Sequence, residues 1–531
     1  MNQENAAPVA ADAGTSAEHH EKKDFLLFWA CFIALIATAF GFIIRALTLG
    51  DIGAEFNLTE TQKGELFGVG LWPFAISIVL FSLVIDKIGY GRAMIFAFVC
   101  HVGSTVMTIF TKQIATSLNM EPYWVLYIAM FIVALGNGTV EAVINPVVAT
   151  MFSKEKTKWL NILHAGWPGG LVLGGLLTLA LAPTGVFGKM AEGGIGWEMN
   201  FALLFIPVVI YGLMMIPCKW PVQERVAAGV SYLDMLKEAG LIGALIVVTL
   251  IVREIGRVFA WSLTLQVIVG AVLVIGYGLY VKSLGRWLFV FLLLVMIPLA
   301  TTELGTDSWI TDLMGPAMEK LGLEAGWVLV YTSFIMMVLR FFAGPIVHKL
   351  SPLGLLAACS LIAACGLVFL SKATGMAILV AATLYGIGKT FFWPTMLGVV
   401  AEQFPKGGAL TLNTIGGVGM LGVGVVGAVL LGNIQDKEVD AKLFSAQPEI
   451  HAQVAGEEQT SVFGSYRPID AEKVQELPDE QQEEITEIQA TAKKSALQTV
   501  AIFPLIMFVC YIVMLGYFKT KGGYKPVELS N

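Results

Sequence analysis

The feature that most constrains this chain is a repeated one: apolar blocks of about 20 residues, each closed by a short cluster of charge. A water-soluble domain carries roughly a quarter charged residues. Here the share is 14%, against 56% hydrophobic, over 531 residues. In a bilayer the backbone of each block must bond to itself, which makes each block a membrane-crossing helix. The fold class expected is therefore an all-α polytopic membrane protein with about 14 transmembrane helices.

Taken in order, the blocks predict helices at 25–49, 64–85, 91–111, 123–152, 158–182 and 199–217. After a polar connector beginning at Cys218, two more follow at 239–257 and 260–281. The last six are at 286–312, 325–346, 352–371, 374–400, 409–434 and 497–518. The domain plan is an N-terminal tail (1–24), a six-helix bundle (25–217), and a central connector with two extra helices (218–285). A second six-helix bundle (286–518) carries an acidic outer loop at 435–496, and a tail (519–531) ends the chain.

With the N-terminus placed in the cytoplasm, the inner short segments hold 17 Lys and Arg and the outer ones seven. That asymmetry puts both termini inside. The first apolar block is too long for a signal peptide and lacks its cleavage site, so it stays as a helix. Residues 239–257 fit a span least well. Their apolar core, Leu241 to Val252, is short and Arg253, Glu254 and Arg257 follow it, so the segment is either a tilted span or a re-entrant piece. Gln435 to Lys494 holds 14 acids and six bases. It reads as a solvated loop or small subdomain with some helix, or as a cap or partner surface.

Inside the block Tyr123 to Phe152, Asn137, Glu141 and Asn145 recur at every fourth position and form one polar stripe of a helix. An ionisable residue there is costly unless it faces protein or a watered cavity. A carboxyl so placed can exchange a proton as the cavity hydrates and dries, which makes Glu141 the candidate coupling residue. The alternative is a fixed buried pair. Asn137 and Asn145 are candidate substrate ligands, or helix–helix glue. The second half echoes this run. Gly136-x-Gly138, Glu141 and Pro146 correspond to Gly386-x-Gly388, Lys389 and Pro394, and the following helices open with Leu160-Asn161 and Leu412-Asn413. Repeated helix sets build transporters whose sites lie between the repeats.

The echo adds Asn161, His164, Lys389, Trp393 and Asn413 to the candidate substrate-binding set. Asn161, His164 and Trp167 share a face, and Trp393 either stacks on the solute or packs as core. Glu303 and Asp307 read as an outer vestibule that binds substrate or cations, or as acids that simply mark the outer helix end. At about 1.5 Å per residue, Glu141 and Lys389 lie roughly 27 and 22 Å from the outer ends of their helices. The expectation is that they face each other across the cavity; the alternative is that Lys389 snorkels toward the cytoplasm. Arg340, near the inner end of helix 325–346, reads as a gate residue out of reach of Glu303. Arg45, in the outer part of the first helix, is available to neutralise Glu141, Glu303 or an anionic solute. His101 has no polar company on its helix and reads as structural.

The turn Ser82-x-x-x-Asp86-Lys87-x-Gly89-x-Gly91-Arg92 resembles the signature loop of the major facilitator superfamily, with a degraded copy at Arg340-x-x-x-Gly344-x-x-x-His348-Lys349. The resemblance implies that Asp86, Lys87, Arg92 and Arg340 gate the cytoplasmic face, and that the fold is two six-helix bundles of major facilitator type. Within the superfamily, Gly136, Gly138, Glu141, Asn145 and Pro146 resemble the helix 4 setting of fucose:proton symporters and related sugar transporters. Leu160-Asn161-Ile162-Leu163-His164, Phe392-Trp393-Pro394-Thr395 and Ile415-Gly416-Gly417-Val418-Gly419 are similar to that group's helices 5, 10 and 11. One position departs from it: where those symporters have a coupling aspartate in helix 1, this chain reads Ile43-Ile44-Arg45-Ala46.

The resemblance implies a secondary active transporter that moves a sugar across a bacterial inner (plasma) membrane by alternating access, coupled to protons. Its partners are then a small solute, a coupling ion and the lipid bilayer, with no nucleic acid and no cofactor. The alternatives are an organic anion or nucleoside carrier, using Arg45 and Lys389, and a non-transporting solute sensor. An enzyme is not expected. No nucleophile–base set or ATP-binding domain is visible, and the six scattered cysteines form no CxxC pair. Gly417-x-Gly419-x-x-Gly422 matches a dinucleotide fingerprint by letters alone, with no strand ahead of it.

Overall fold

Among the described residues, the long apolar blocks of the sequence are helical. The structure, a computed structural model, describes residues 12–182, 185–190, 195–306, 326–461 and 464–529. Thirteen described helices are long and apolar enough to cross a membrane, and a bent pair makes a fourteenth. The first six are α1 (Phe25–Glu55), α2 (Gln62–Ile88), α3 (Tyr90–Ile109), α4 (Pro122–Met151), α5 (Lys156–Leu181) and α6 (Trp197–Met215). Two follow between the halves, α7 (Tyr232–Val258) and α8 (Leu263–Val281). The second half has α9 (Trp287–Gly305), the bent α10 (Trp327–Phe341 and Ala343–Leu350), α11 (Pro352–Lys372), α12 (Ala377–Gln403), α13 (Pro405–Ala446) and α14 (Asp479–Thr520).

In the first half, α1 packs on α5 and α6, and α4 on α2 and α3. In the second, α9 packs on α13 and α14, and α11 on α12 and α14. The halves meet where α2 lies on α13 and where α5 lies on α10 and α12. Close approach needs small residues. A Cβ at Gly138 would stand 2.3 Å from the Phe74 carbonyl oxygen, and one at Gly170 would stand 2.4 Å from that of Ile36.

The 239–257 block is part of a helix of spanning length. Gly240, at φ 59°, bends it so that the chain passes against Gly285, whose nitrogen a Cβ would meet at 2.0 Å. At the outer turn Arg253 bonds Gln266 (3.0 Å) and Arg257 pairs with Glu254 (2.6 Å), which explains why charge ends this helix. Helix α7 lies on α9 and α13 and carries α8 on its other side. Leu263, Val267, Ile268, Val272, Ile275 and Leu279 of α8 are exposed, giving a face suited to lipid.

Residues 435–496 are a folded subdomain rather than a solvated loop. Helix α13 continues to Ala446 and α14 begins at Asp479. Between them lie short helices at Pro448–Val454 and Ala471–Gln475 and an antiparallel pair, Gln459–Ser461 with Gly464–Tyr466. Leu443, Ile450, Val454 and Ile485 give this part its own small core. Of the two readings the composition left open, the small subdomain with some helix is the one seen among the described residues.

Candidate functional site

The site is assembled where helices break. Pro298 has no N–H to give its own turn, and α9 passes into a π turn at Thr301–Gly305. Such turns shift a side chain off the helical register and recur at functional sites. This one turns Glu303 inward, where it is buried, so the outer-vestibule reading does not hold for it. Asp307 lies outside the described residues. Helix α10 bends by 63° at Phe342. A straight helix over 325–346 would leave Arg340 near the inner end; the bend, with a further helix beyond it, leaves Arg340 in the interior.

Arg340 therefore does reach Glu303. Its Nη2 donates to Glu303 Oε1 at 2.8 Å, Nη1 to the His164 carbonyl at 2.8 Å, and Nε to the Thr390 carbonyl at 2.7 Å. Glu303 Oε2 accepts the Trp393 backbone N–H at 2.9 Å. A buried ion pair is sustained only when its remaining donors and acceptors are also met. Here all three kinds of guanidinium nitrogen and both carboxylate oxygens have partners. His164 lies in the first half and Glu303 and Thr390 in the second, so Arg340 joins the halves.

Glu141 is bound differently. Its Oε2 accepts from Asn145 Nδ2 at 2.7 Å, and that amide also bonds the Glu141 carbonyl at 3.0 Å. Asn145 Oδ1 lies 2.8 Å from His164 Nε2. With the amide oriented to donate to Glu141, Oδ1 is an acceptor, so the His164 tautomer carries its proton on Nε2. Glu141, Asn145 and the His164 imidazole are thus linked by hydrogen bonds, and the backbone carbonyl of His164 is held by Arg340, which pairs with Glu303. No described cation forms an ion pair with Glu141.

Lys389 does not pair with Glu141 either. Its Nζ lies 3.4 Å from the Glu303 carbonyl oxygen and 5.8 Å from the centre of the Tyr385 ring. Similar depth on pseudo-equivalent helices did not bring the two charges together, because the inward turn of Glu303 brings its carbonyl to the lysine. Asn137 also leaves the group. Each step of four residues advances about 40° around a helix, so Asn137 is turned well away from Asn145. Its Oδ1 lies 2.9 Å from His101 Nε2, and His101 Nδ1 lies 3.0 Å from the Tyr211 hydroxyl. His101 therefore has polar company, contributed by α4 and α6 rather than by its own helix.

The two Leu-Asn pairs act in parallel. Asn161 Nδ2 donates to Thr395 Oγ1 (3.1 Å), from the first half to the second. Asn413 Nδ2 donates to the Ala142 carbonyl (2.9 Å), from the second half to the first. Trp393 is buried with its ring over the glycines of α13, where a Cβ at Gly419 would meet it at 2.8 Å.

The model of the Major Facilitator Superfamily matches residues 29–429. The chain belongs to this superfamily. It is an integral membrane transporter, as that family is. The cis,cis-muconate transport protein of Acinetobacter baylyi is 27% identical over 209 residues, 38% of this chain and 45% of that protein, so the match spans less than half the relative's length. Among solved structures, the E. coli fucose:proton symporter FucP superposes with a TM-score of 0.53 at 14% identity, covering 91% of this chain and 98% of that one. The proton:xylose symporter XylE gives 0.58 at 13%, covering 96% and 99%. The human organic anion transporter MFSD10 gives 0.53 at 11%, covering 93% and 99%. Likeness at these identities shows the fold, and carriers of different solutes share it.

The signature-loop charges of this facilitator do not meet the opposite half. Asp86 pairs with Arg225 of the connector. Lys87 stands 5.0 Å from the centre of the Tyr232 ring, whose hydroxyl donates to the Leu83 carbonyl at 2.9 Å. Arg92 is exposed. Asp86 and Lys87 anchor the segment leading into α7. The clasp between the halves on this face is made by others. Lys156 pairs with Glu224 (2.6 Å) and donates to the Ala401 carbonyl (3.2 Å). Thr157 donates its N–H and hydroxyl to Glu402 Oε1 at 3.1 and 2.5 Å. The C-terminal segment completes it: Tyr524 donates to Glu402 Oε2 at 2.7 Å and the Val527 N–H to the Glu402 carbonyl at 2.8 Å. Burial, and then the charge of Glu402, hold the Tyr524 phenol well above its ordinary pKa. The only sequence signal for this clasp was an acid, Glu402, set among basic turns, and the partner positions were not deducible from spacing.

Proposed function

We propose that this transporter moves a small polar organic solute by alternating access and couples the movement to protons through Glu141. The observation that carries the proposal is the unequal pairing of two buried acids. Glu303 is met by Arg340 and a backbone N–H, whereas Glu141 has one amide and no ion-pair partner among the described residues. A buried carboxylate with no counter-charge in contact is costly, so drying of the cavity favours its protonation and hydration favours release. Asn145 and His164 link that event to Arg340, and Arg340 holds the halves together.

The sugar reading is supported by the amide and imidazole groups of Asn145, Asn161, His164 and Asn413, which suit hydroxyls, and by likeness to fucose and xylose symporters. An organic anion is the second reading. It is favoured by Arg45, a buried cation with no carboxylate partner among the described residues, and by the relative named for muconate. In this reading of the chain, both termini face the cytoplasm and the membrane is the bacterial plasma membrane, on the strength of the 17-to-seven distribution of Lys and Arg.

The test is counterflow and pH-gradient-driven uptake in proteoliposomes, with labelled fucose, xylose and muconate. One class of solute is expected to exchange and to accumulate with an inward proton gradient. Glu141→Gln is expected to keep counterflow and to lose accumulation. Gradient-driven accumulation in Glu141→Gln equal to wild type would overturn the coupling assignment.

A further inference from the structure

Arg45 sits inside the first bundle, 3% exposed. Its guanidinium carbon lies 5.5 and 5.3 Å from the ring centres of Phe42 and Phe67. It packs on the chain at Gly70, where a Cβ would stand 2.0 Å from Nη1. Among the described residues Nη1 finds only the Met130 sulfur, at 3.8 Å, and the buried Nε has no partner. The other buried guanidinium in the bilayer interior, Arg340, has a carboxylate, and so has Arg225 at the inner face. Cation–π contact with two phenylalanines compensates only part of the lost hydration of a buried charge.

Beside Arg45 is a cavity of about 20 Å³, also lined by Ser104, Thr105, Thr108 and Asn137. That is room for one water-sized species. Ser104 and Thr105 direct their hydroxyl protons to the His101 carbonyl (3.1 and 2.7 Å), and Thr108 to that of Ser104 (2.9 Å). Asn137 gives its Oδ1 to His101, and no described group accepts from its Nδ2. Two residues that line the cavity, Arg45 and Asn137, therefore each carry an N–H with no acceptor among the described residues. A water would satisfy the donors but leave the charge uncompensated.

We propose that this cavity is an anion site. Its occupant carries one negative charge on an atom or group small enough to lie against Arg45 and Asn137. The shared chemistry has two sources: a free halide, or the terminal carboxylate of the transported solute reaching into the cavity. Only the second rests on the organic anion reading. Binding is read without a gradient or transport, so its failure is separable from failure of the proton-coupling proposal.

The test is the thermal unfolding midpoint of the full-length detergent-solubilised protein, titrated with chloride, bromide or muconate against a bulky sulfonate salt at equal ionic strength. A ligand that binds only the folded state raises the midpoint with the logarithm of its concentration. Wild type is expected to rise with halide or with muconate, and Arg45→Gln is expected to lose that rise. A rise with halide assigns a free ion, and a rise with muconate alone assigns the solute's carboxylate. Equal responses in wild type and Arg45→Gln, or no response in either, overturn the proposal and leave water as the occupant. If Arg45→Gln does not fold, anomalous scattering from wild-type crystals grown in bromide, and in a bromine-labelled muconate, decides. A peak beside Arg45 supports the site, and its absence in both overturns it.

Discussion

At the scale of single residues, the balance between Glu303 and Arg340 is the strongest constraint on the interior. Removing one member leaves the other buried and charged, which costs about 3–5 kcal/mol. Arg340→Gln is therefore expected to lower the unfolding midpoint markedly. The double variant Glu303→Gln/Arg340→Gln is expected to recover part of the loss; additive losses would show that the pair is not coupled. Glu141 and Asn145 were legible in the sequence as one stripe of a helix, and His164 through the echo between the halves; that His164 meets Asn145 came only from the structure. Arg340 was misplaced because a 63° bend is invisible in an apolar run that contains no proline before Pro345. The partners of His101, Asn137 and Tyr211, were not legible because they come from other helices.

At the scale of elements, long apolar blocks gave the helices, and the echo of Gly136-x-Gly138 and Pro146 in Gly386-x-Gly388 and Pro394 gave the two halves. What spacing did not give was where helices break. The π turn after Pro298, the bend at Phe342 and the interruption between Lys389 and Phe392 in α12 each re-aim a residue of the site. Their only trace in sequence is proline nearby. The extra pair α7 and α8 depends on a different break. Gly240 has a positive φ and touches the chain at Gly285, so Gly240→Ala combines backbone strain with a clash. It is expected to destabilise by more than about 1 kcal/mol, read as a fall in the unfolding midpoint. A midpoint equal to wild type would mean that α7 does not need this bend. The 435–496 subdomain has its own core, so Val454→Ala is expected to speed proteolysis within 455–470 while transport continues. Loss of transport in step with cleavage would instead make the subdomain part of the gate.

At the scale of the whole molecule, the halves are clasped on the basic face by Lys156, Thr157, Glu402 and Tyr524 and deeper in by Asn161 and Asn413. Alternating access requires those bonds to break together. Tyr524 gives the clasp a pH signature. Its folded pKa is raised, so its contribution is fully present below the unfolded value, about 10, and is lost as pH rises through the folded value. Wild type is expected to lose stability above about pH 10 more steeply than Tyr524→Phe; parallel curves would show that the phenol does not titrate on opening. The clasp also explains why the signature loop misled at the level of contacts: Asp86 and Lys87 hold the connector in place, and the second half is gripped by residues no motif singled out.

The central claim is that Glu141, not the paired Glu303, carries the proton. The most direct measurement is the alkalinisation of weakly buffered medium outside proteoliposomes when the transported solute is added. Wild type is expected to take up protons with solute, and Glu141→Gln is expected to exchange solute with no proton signal. Solute-evoked proton uptake in Glu141→Gln at the wild-type ratio would contradict the account.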